Sequence, residues 1–181
     1  MSAEQYKNDF QTPPEIAKYM VSLLPEGVQT VLEPTPGCGH IVRELKGYDV
    51  TAPKDFFDVR KRFRYDGIVM NPPFAAKYAF LQNAPEDYVK KGMKIGYQML
   101  YDCLQMADVV IALMPWFTLS DSDVRLRTLK NHGMVSLTAL PRKTFQYARI
   151  QTVVIHFEKG FTGTTEFHVY DVMNQEQIKL L

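Results

Sequence analysis

The sequence predicts an α/β domain with a mostly parallel sheet, and three observations lead to that prediction. Short apolar runs typical of buried strands alternate with stretches that have helical spacing. A strand over residues 30–32 runs into a glycine loop and then a helix, the order found in half of a nucleotide-binding βαβ unit. Val109 to Met114 is a continuous apolar run that ends at Pro115, as in a strand buried on both faces.

Length and composition narrow the class of protein. The chain has 181 residues, 46% hydrophobic and 23% charged, which is typical of a soluble globular domain with one core. No apolar run reaches membrane-spanning length and the N-terminus is polar, so we expect a cytoplasmic protein with no membrane partner. Cys38 and Cys103 cannot supply a four-ligand zinc site, and we expect no metal. A net charge of +1 means that a nucleic-acid partner would need a local basic patch.

The other elements follow from local signals along the chain. Thr12 is predicted to be the N-cap of a helix that has Pro13 at its first position and ends at Pro25. Further helices are predicted from Ile41 to Gly47, within 75–106 and at 123–129, and further strands at 50–52, 67–70, 135–140, 152–157 and 167–170, the last as an edge strand. Strands 135–140 and 152–157 are expected to pair antiparallel, because their connection contains no crossover helix. We expect a single domain over residues 1–181, with a flexible segment 1–9 and a tail at 171–181.

The segment from Val69 to Phe74 is the strongest candidate for a functional site. Its apolar strand ends at Asn71, and Pro72 and Pro73 then force the chain into a fixed extended turn. This turn would hold the Asn71 amide, the Pro72 carbonyl and the Phe74 ring at one edge of the sheet. Such a group of acceptors beside an aromatic ring suits a flat, amine-bearing ring such as adenine. An ordinary proline-rich loop is the alternative.

The chain resembles the catalytic domain of the S-adenosylmethionine-dependent N6-adenine DNA methyltransferases, in the group that includes the modification subunits of restriction-modification systems. The resemblance covers about Asp9 to Lys159 and rests on five motifs in the order of that family: Phe10-Gln11-Thr12-Pro13; Glu33-Pro34 with Gly37 and Gly39; Asp55-Phe56; Asn71 to Phe74; and Leu140-Pro141 with Phe145 and Glu158-Lys159-Gly160. It implies a Rossmann-like class I methyltransferase fold, in which helices cover both faces of a mostly parallel seven-stranded sheet with an antiparallel last strand.

The resemblance also implies which residues bind S-adenosylmethionine: Phe10, Thr12, Pro13, Glu33, Pro34, Gly37, Gly39, Asp55, Phe56 and Asn71. A glycine loop lets the backbone approach the cofactor where a Cβ would clash. Glu33 would accept the methionyl ammonium or orient the loop, and bracing the loop is its structural alternative. Asp55 would accept from the exocyclic amine of the cofactor while Phe56 packs on the purine. For Asp55, an N-cap or an exposed loop acid is the alternative.

Catalysis is implied at Asn71, Pro72, Pro73 and Phe74. The Asn71 side-chain oxygen and the Pro72 carbonyl would bind the two hydrogens of the adenine amine, favour a pyramidal nitrogen and so free its lone pair to attack the sulfonium methyl. A base inside a duplex cannot reach such a pocket, so the target adenine must be flipped or single-stranded. Phe74 would stack on one face of it and Phe145 on the other. A core aromatic is the alternative for Phe145.

Basic residues near these motifs are candidates for phosphate contacts. Arg142 and Lys143 stand beside Phe145, and a second group lies between two site motifs: Arg60, Lys61, Arg62 and Arg64. A solvated surface with no partner is the alternative for each. His40 follows the glycine loop, where it would face the cofactor or have a purely structural role.

Two departures from the family pattern shape the prediction. The strand that usually ends in a ribose-binding acid has no such acid here, so Asp55 or Asp49 would take that role. No target-recognition domain is evident, so we expect DNA methylation with low intrinsic sequence specificity or with specificity supplied by a separate subunit. The alternatives are an RNA adenine or protein glutamine methyltransferase, since both act on planar amines, and a non-catalytic subunit that binds cofactor or nucleic acid.

Overall fold

A computed structural model describes residues 10–74, 83–85, 88, 95–145, 150–174 and 176–180. The strands are β1 (Thr30–Leu32), β2 (Asp49–Thr51), β3 (Tyr65–Met70), β4 (Ala107–Pro115), β5 (Met134–Ala139), β6 (Thr152–Glu158), β7 (Glu166–Asp171) and β8 (Glu176–Lys179). The helices are α1 (Pro14–Ser22), α2 (His40–Glu44), α3 (Ile95–Met106), α4 (Phe117–Ser120) and α5 (Asp123–Asn131), with a 3-10 helix at Phe56–Asp58.

The described strands form one sheet in the order β2-β1-β3-β4-β6-β5-β7-β8. The pairs β1–β2, β1–β3, β3–β4 and β5–β7 are parallel. Strand β6 is antiparallel to both β4 and β5, which confirms the antiparallel pairing predicted for 135–140 and 152–157. The α/β class and the mostly parallel sheet are therefore confirmed.

The number of strands differs from the expected seven. Strand β8 pairs antiparallel with β7 and lies in the segment expected to be a tail. As a consequence β7 is an inner strand, and the expectation that residues 167–170 form an edge was wrong. The four residues of β8 are polar or exposed, so neither burial nor alternation marks this strand in the sequence.

Apolar side chains alternate between the two faces of the inner strands and build a core on each face. On one face, Val31, Val69 and Ile111 pack with residues of α1 and α2, including Ile16 and Ile41. The other face carries side chains such as Ile68 and Val110, which pack with α3 and with Leu129 of α5. Helices thus cover both faces of the sheet, as the resemblance implied.

Two helix starts test the capping signals. Ser122 is the N-cap of α5 and its hydroxyl accepts from the backbone N–H of Arg125, so the predicted start is confirmed. For α1 the N-cap is Pro13, which makes no side-chain cap, and the helix ends at Ser22 rather than at Pro25. The prediction of Thr12 as N-cap was wrong, because its hydroxyl accepts from the side chain of Asn71 instead.

Other expectations lie partly outside the described residues. Helix α3 accounts for 95–106 of the helical stretch predicted within 75–106, whereas 75–82, 86–87 and 89–94 are outside, as is the segment 1–9. In the part of the chain that is described, no helix is long and apolar enough to cross a membrane. Nor do its His, Cys, Asp and Glu residues form a group of three or more that could hold a metal ion.

Candidate active site

The site lies where β1 and β3 end, at what we call the carboxyl edge of the sheet. Parallel strands end at the same edge, so the residues after Leu32 and Met70 come close together. The hydroxyl of Thr35 lies 3.1 Å from the backbone oxygen of Asn71 and joins the glycine loop to the proline turn. The edge therefore brings two of the predicted motifs together.

The carboxamide of Asn71 is held by two acceptors from residues 10–12. Its nitrogen Nδ2 donates to the backbone oxygen of Phe10 at 2.8 Å and to the hydroxyl oxygen of Thr12 at 3.0 Å. A carbonyl oxygen can only accept, so the bond to Phe10 determines which end of the amide carries the hydrogens. The oxygen Oδ1 is thereby turned away from both partners. Residues 10–12 orient the predicted acceptor.

The proline turn packs against α3. Pro72 is buried, while Pro73 and Phe74 are partly exposed. An ideal Cβ on Gly96 would lie 3.0 Å from the Pro73 carbonyl oxygen and 3.6 Å from Pro72 Cγ. The ring of Phe74 meets that of Phe10 edge to face, with centroids 6.2 Å apart. The turn is thus held between α3 and the residues that precede α1.

The glycine loop has a backbone conformation that favours glycine. Gly37 has φ 48° and Gly39 has φ 76°, in the left-handed region that side chains disfavour. A Cβ on Gly37 would lie 2.4 Å from the side-chain oxygen of Gln11. That oxygen accepts from the backbone N–H of Cys38 at 2.8 Å. The side chain of Gln11 therefore lies in close contact with the backbone of the glycine loop.

Glu33 is the most deeply buried acid of the site, with 1% of its surface exposed. Its Oε1 accepts from the backbone N–H of Thr35 at 2.9 Å, so the carboxyl braces the loop, and Pro34 beside it is buried. Burial raises the pKa of Glu33 to about 8, against the lowering effect of the bonds from Thr35. A cation placed next to Glu33 would favour its ionised form. The site is suited to an ammonium group.

A pocket opens between the glycine loop and residues 10–12. It is lined by Phe10, Gln11, Thr12, Glu33, Thr35, Pro36, His40, Ile41 and Asn71. His40 Nδ1 donates to the backbone oxygen of Thr12 at 2.6 Å. Sequence reasoning missed Thr35 altogether and left the role of His40 open. The position of each beside the glycine loop was the only signal.

Comparisons with known proteins identify the fold that contains this site. Neither a family model nor a curated protein sequence matches the chain. A type I restriction-modification methyltransferase subunit from Streptococcus thermophilus is similar in structure, with TM-score 0.67 and 16% identity over 95% of this chain and 50% of that one. A modification subunit of a proposed type I restriction enzyme from Vibrio vulnificus has TM-score 0.66 and 19% identity over 90% and 47%.

A third similar structure is described as a class I methyltransferase. A proposed class I S-adenosylmethionine-dependent methyltransferase from Listeria monocytogenes has TM-score 0.64 and 13% identity, over 90% of this chain and 66% of that one. The fold is that of a class I methyltransferase. The chain spans about half the length of the Streptococcus and Vibrio proteins. The resemblance read from the motifs is confirmed at the level of the fold.

Within this methyltransferase fold, Asp55 and Phe56 both have structural roles. Asp55 accepts from the backbone N–H of Phe57 at 3.0 Å and from Asn83 Nδ2 at 2.9 Å, so it is the N-cap of the 3-10 helix. This was the structural alternative, and contact with a cofactor amine stays a prediction. Phe56 is only 4% exposed and lies in the core. The 3-10 helix turns that ring inward, and packing of Phe56 on the cofactor purine stays a prediction.

Asp49 does not replace the missing ribose-binding acid. It is exposed and stands at the amino end of β2, where it pairs in register with Thr30 at the start of β1. The glycine loop of the methyltransferase fold leaves the opposite end of β1. Asp49 is therefore on the wrong edge of the sheet for that role.

Phe145 is 6% exposed and belongs to the core that contains Leu140 and α1. The structure thus shows the core aromatic that was its alternative, and stacking of Phe145 on the target adenine stays a prediction. Its burial follows from the apolar cluster under the loop. Arg142 and Lys143, three and two residues earlier, are exposed.

Three residues of the other basic group make ion pairs within the fold. Arg60 and Lys61 contact the buried carboxylate of Asp102, and Arg64 Nη2 lies 2.8 Å from Asp108 Oδ1. Arg60 also lies over the ring of Tyr88. These residues precede β3, whose six residues span about 20 Å. Arg64, the residue before β3, is therefore at the edge opposite the proline turn, and phosphate contacts by Arg60, Lys61, the exposed Arg62 and Arg64 stay a prediction.

Proposed function

We propose that this protein transfers a methyl group from S-adenosylmethionine to the N6 amine of adenine in DNA. The observation that carries the proposal is the carboxamide of Asn71, oriented by Phe10 and Thr12 so that Oδ1 is the outward acceptor. The class I methyltransferase fold and the motif order support it. That residues 1–181 act as one domain in the cytoplasm, with low sequence specificity or a specificity subunit, stays a prediction.

The chemistry required of Asn71 and Pro72 is positioning. Asn71 Oδ1 and the Pro72 carbonyl oxygen would each accept one hydrogen of the amine, drawing its nitrogen out of conjugation with the ring. The nitrogen lone pair would form the new N–C bond as the C–S bond breaks, and one proton would pass from the amine to water. The chemistry supplied by S-adenosylmethionine would be the methyl group, with a neutral thioether as the leaving group. No basic side chain is needed at Asn71, because an amide remains an acceptor at ordinary pH.

The residues that would hold the cofactor line the pocket already described. Glu33 would accept its ammonium, which would offset the burial that raises the pKa of this carboxyl. The backbone of the loop between Gly37 and Gly39 would approach it closely once the Gln11 side chain moves. Thr12, next to Pro13, would lie between the cofactor and Asn71.

The residues that would hold the substrate lie on the outer side of the turn. Phe74 is only partly buried and would stack on the extruded adenine. Arg142 and Lys143 are exposed and would contact phosphates of the DNA backbone. We propose DNA rather than RNA or protein because the motif order is that of the DNA enzymes.

The test is a labelled-methyl assay with purified protein on adenine-containing DNA, RNA and protein, followed by mass spectrometry of the nucleosides. We expect N6-methyladenine in DNA, preferentially in single-stranded DNA. Asn71→Ala should abolish turnover, while calorimetry shows that S-adenosylmethionine still binds. Methylation of RNA or protein alone would overturn the choice of substrate. Activity in Asn71→Ala would overturn the mechanism, and failure of the wild type to bind the cofactor would favour a non-catalytic subunit.

A further inference from the structure

We infer that His40 is a positioning residue for Asn71. It acts through residues 10–12, which it holds against the proline turn. This inference rests on the proposed function for its catalytic consequence. Its structural basis is a pair of contacts: His40 Nδ1 to the backbone oxygen of Thr12 at 2.6 Å, and Asn71 Nδ2 to the Thr12 hydroxyl oxygen at 3.0 Å.

The directions of the His40–Thr12 and Asn71–Phe10 bonds are determined by atoms that can only accept. The Thr12 carbonyl has no hydrogen, so His40 Nδ1 must donate to it. The Phe10 carbonyl likewise requires that Asn71 Nδ2 donates. Thr12 itself is buried, with 4% of its surface exposed, so water does not readily replace these partners. The ring of His40 is thus linked to the orientation of the catalytic amide.

The link matters because a carboxamide has two nearly equivalent orientations. The last torsion of an Asn side chain is broad and roughly two-fold, so packing alone defines it poorly. A flipped Asn71 would present hydrogens, rather than an acceptor, to an amine. The Phe10 carbonyl prevents this flip because it can only accept, and the Thr12 hydroxyl adds a second bond to the amide. Both groups belong to residues 10–12, which lie before α1 and outside the sheet. Gln11 and Phe10 have contacts of their own, and His40 at the start of α2 supplies the anchor at Thr12.

His40 also lines the pocket, so a direct contact with the cofactor is the competing role. The two roles use different atoms of the ring. An asparagine side chain places its nitrogen near the position of Nδ1, and a glutamine side chain near that of Nε2. His40→Asn should therefore keep the bond to Thr12, while His40→Gln should lose it.

The kinetic test compares these two variants with the wild type. We expect His40→Gln to lower kcat about tenfold, the order of one lost orienting hydrogen bond, with cofactor affinity within about twofold of the wild type. His40→Asn should recover most of kcat. Equal activity of the two variants, or a loss of cofactor affinity at unchanged kcat, would overturn the inference. Thermal unfolding of each variant checks that it is folded.

A second measurement does not depend on turnover. The side-chain N–H resonances of Asn71 can be followed by NMR in this 20.8 kDa protein. We expect His40→Gln to shift these resonances and to speed the exchange of the Asn71 amide hydrogens with water. Thr12→Val should have the same effect directly, because it removes the hydroxyl. His40→Asn and Thr12→Ser should each give resonances close to those of the wild type. Unchanged Asn71 resonances in His40→Gln would refute the inference even if the wild type methylates DNA. Shifted resonances in a protein that methylates nothing would instead refute the proposed function.

Discussion

Gly96 of α3 lies directly under Pro73, so close that an ideal Cβ would be 3.0 Å from the Pro73 carbonyl oxygen. Real Cβ atoms rarely approach a backbone oxygen this closely, and the proline turn has little freedom to move away. The absence of a side chain at Gly96 therefore lets α3 support the turn that carries Asn71. Its role is geometric, since a helix interior otherwise disfavours glycine.

We predict that Gly96→Ala lowers kcat about tenfold while cofactor affinity stays within about twofold. The added methyl group would displace the Pro73 carbonyl and with it the neighbouring acceptors, and a shift of this size affects positioning more than binding. Steady-state kinetics and calorimetry measure the two quantities.

Gly67→Ala is the matched control for that substitution. A Cβ on Gly67 would meet Leu24 Cδ2 at 3.1 Å and Val28 Cγ1 at 3.2 Å, which are ends of side chains far from the turn. We expect it to change stability but not kcat. An equal loss of kcat in both variants would show that Gly96 has no special relation to the turn.

The buried carboxyl of Glu33 should make the protein less stable as the pH rises. Its pKa is raised by burial from 4.5 to about 8, so between these values the folded state holds a proton that the unfolded state has lost. The free energy of unfolding then falls with pH, by at most about 1.4 kcal/mol per pH unit. Glu33→Gln should reduce this dependence of the unfolding free energy on pH. Its stability relative to the wild type should be greatest above pH 8. Urea unfolding at pH 5, 7 and 9 measures it.

The control for the pH dependence is Glu26→Gln, which changes an exposed carboxylate. Its unfolding free energy should follow that of the wild type across the same pH range. If Glu33→Gln also runs parallel to the wild type, the raised pKa of Glu33 is refuted.

Cofactor binding should release a proton from Glu33 at neutral pH. The ammonium of S-adenosylmethionine favours the ionised carboxylate, so below about pH 8 the protein must lose the proton in order to bind. Affinity should then rise by up to about tenfold per pH unit towards pH 8. Calorimetry in buffers of different ionisation enthalpy counts the protons released. An affinity independent of pH between 6 and 8 would contradict a contact between Glu33 and the ammonium.

The two groups of basic residues should behave differently towards DNA. Arg142→Gln and Lys143→Gln should weaken binding of single-stranded DNA, and each should reduce the salt slope of log K by about 0.7, the value for one lost phosphate contact. Arg64→Gln removes the same charge at the opposite edge, where Arg64 pairs with Asp108, and should leave the slope unchanged. Fluorescence anisotropy over a range of salt concentrations measures this. Equal slopes for all three variants would contradict the assigned surface.

Much of the fold could be predicted because its inner strands are strongly apolar. The strand at 30–32 and the central strand around 109–114 were predicted near their observed bounds, since buried parallel strands read as continuous apolar runs. Strand β8 could not be predicted, because it is stabilised by pairing with β7 and carries no apolar pattern of its own.

The candidate site could be predicted in part. The Asn-Pro-Pro turn follows a strand whose end the prolines mark in the sequence. Gly37 and Gly39 have backbone angles that favour glycine. Whether an aromatic faces a ligand or the core is not local information. Phe56 and Phe145 are both turned into cores built by residues distant in sequence.

The sequence by itself determined the class of fold, the order of its motifs and the proline turn at Asn71, because strand burial and proline geometry act over a few neighbouring residues. Only the tertiary structure decided how that turn is oriented and which charges reach it. Thr12, expected to cap a helix, instead binds Asn71, 59 residues away in the chain. Arg64 lies at the far edge because β3 carries the chain across the sheet before Asn71. Such contacts depend on which elements pack together, and local spacing does not encode that.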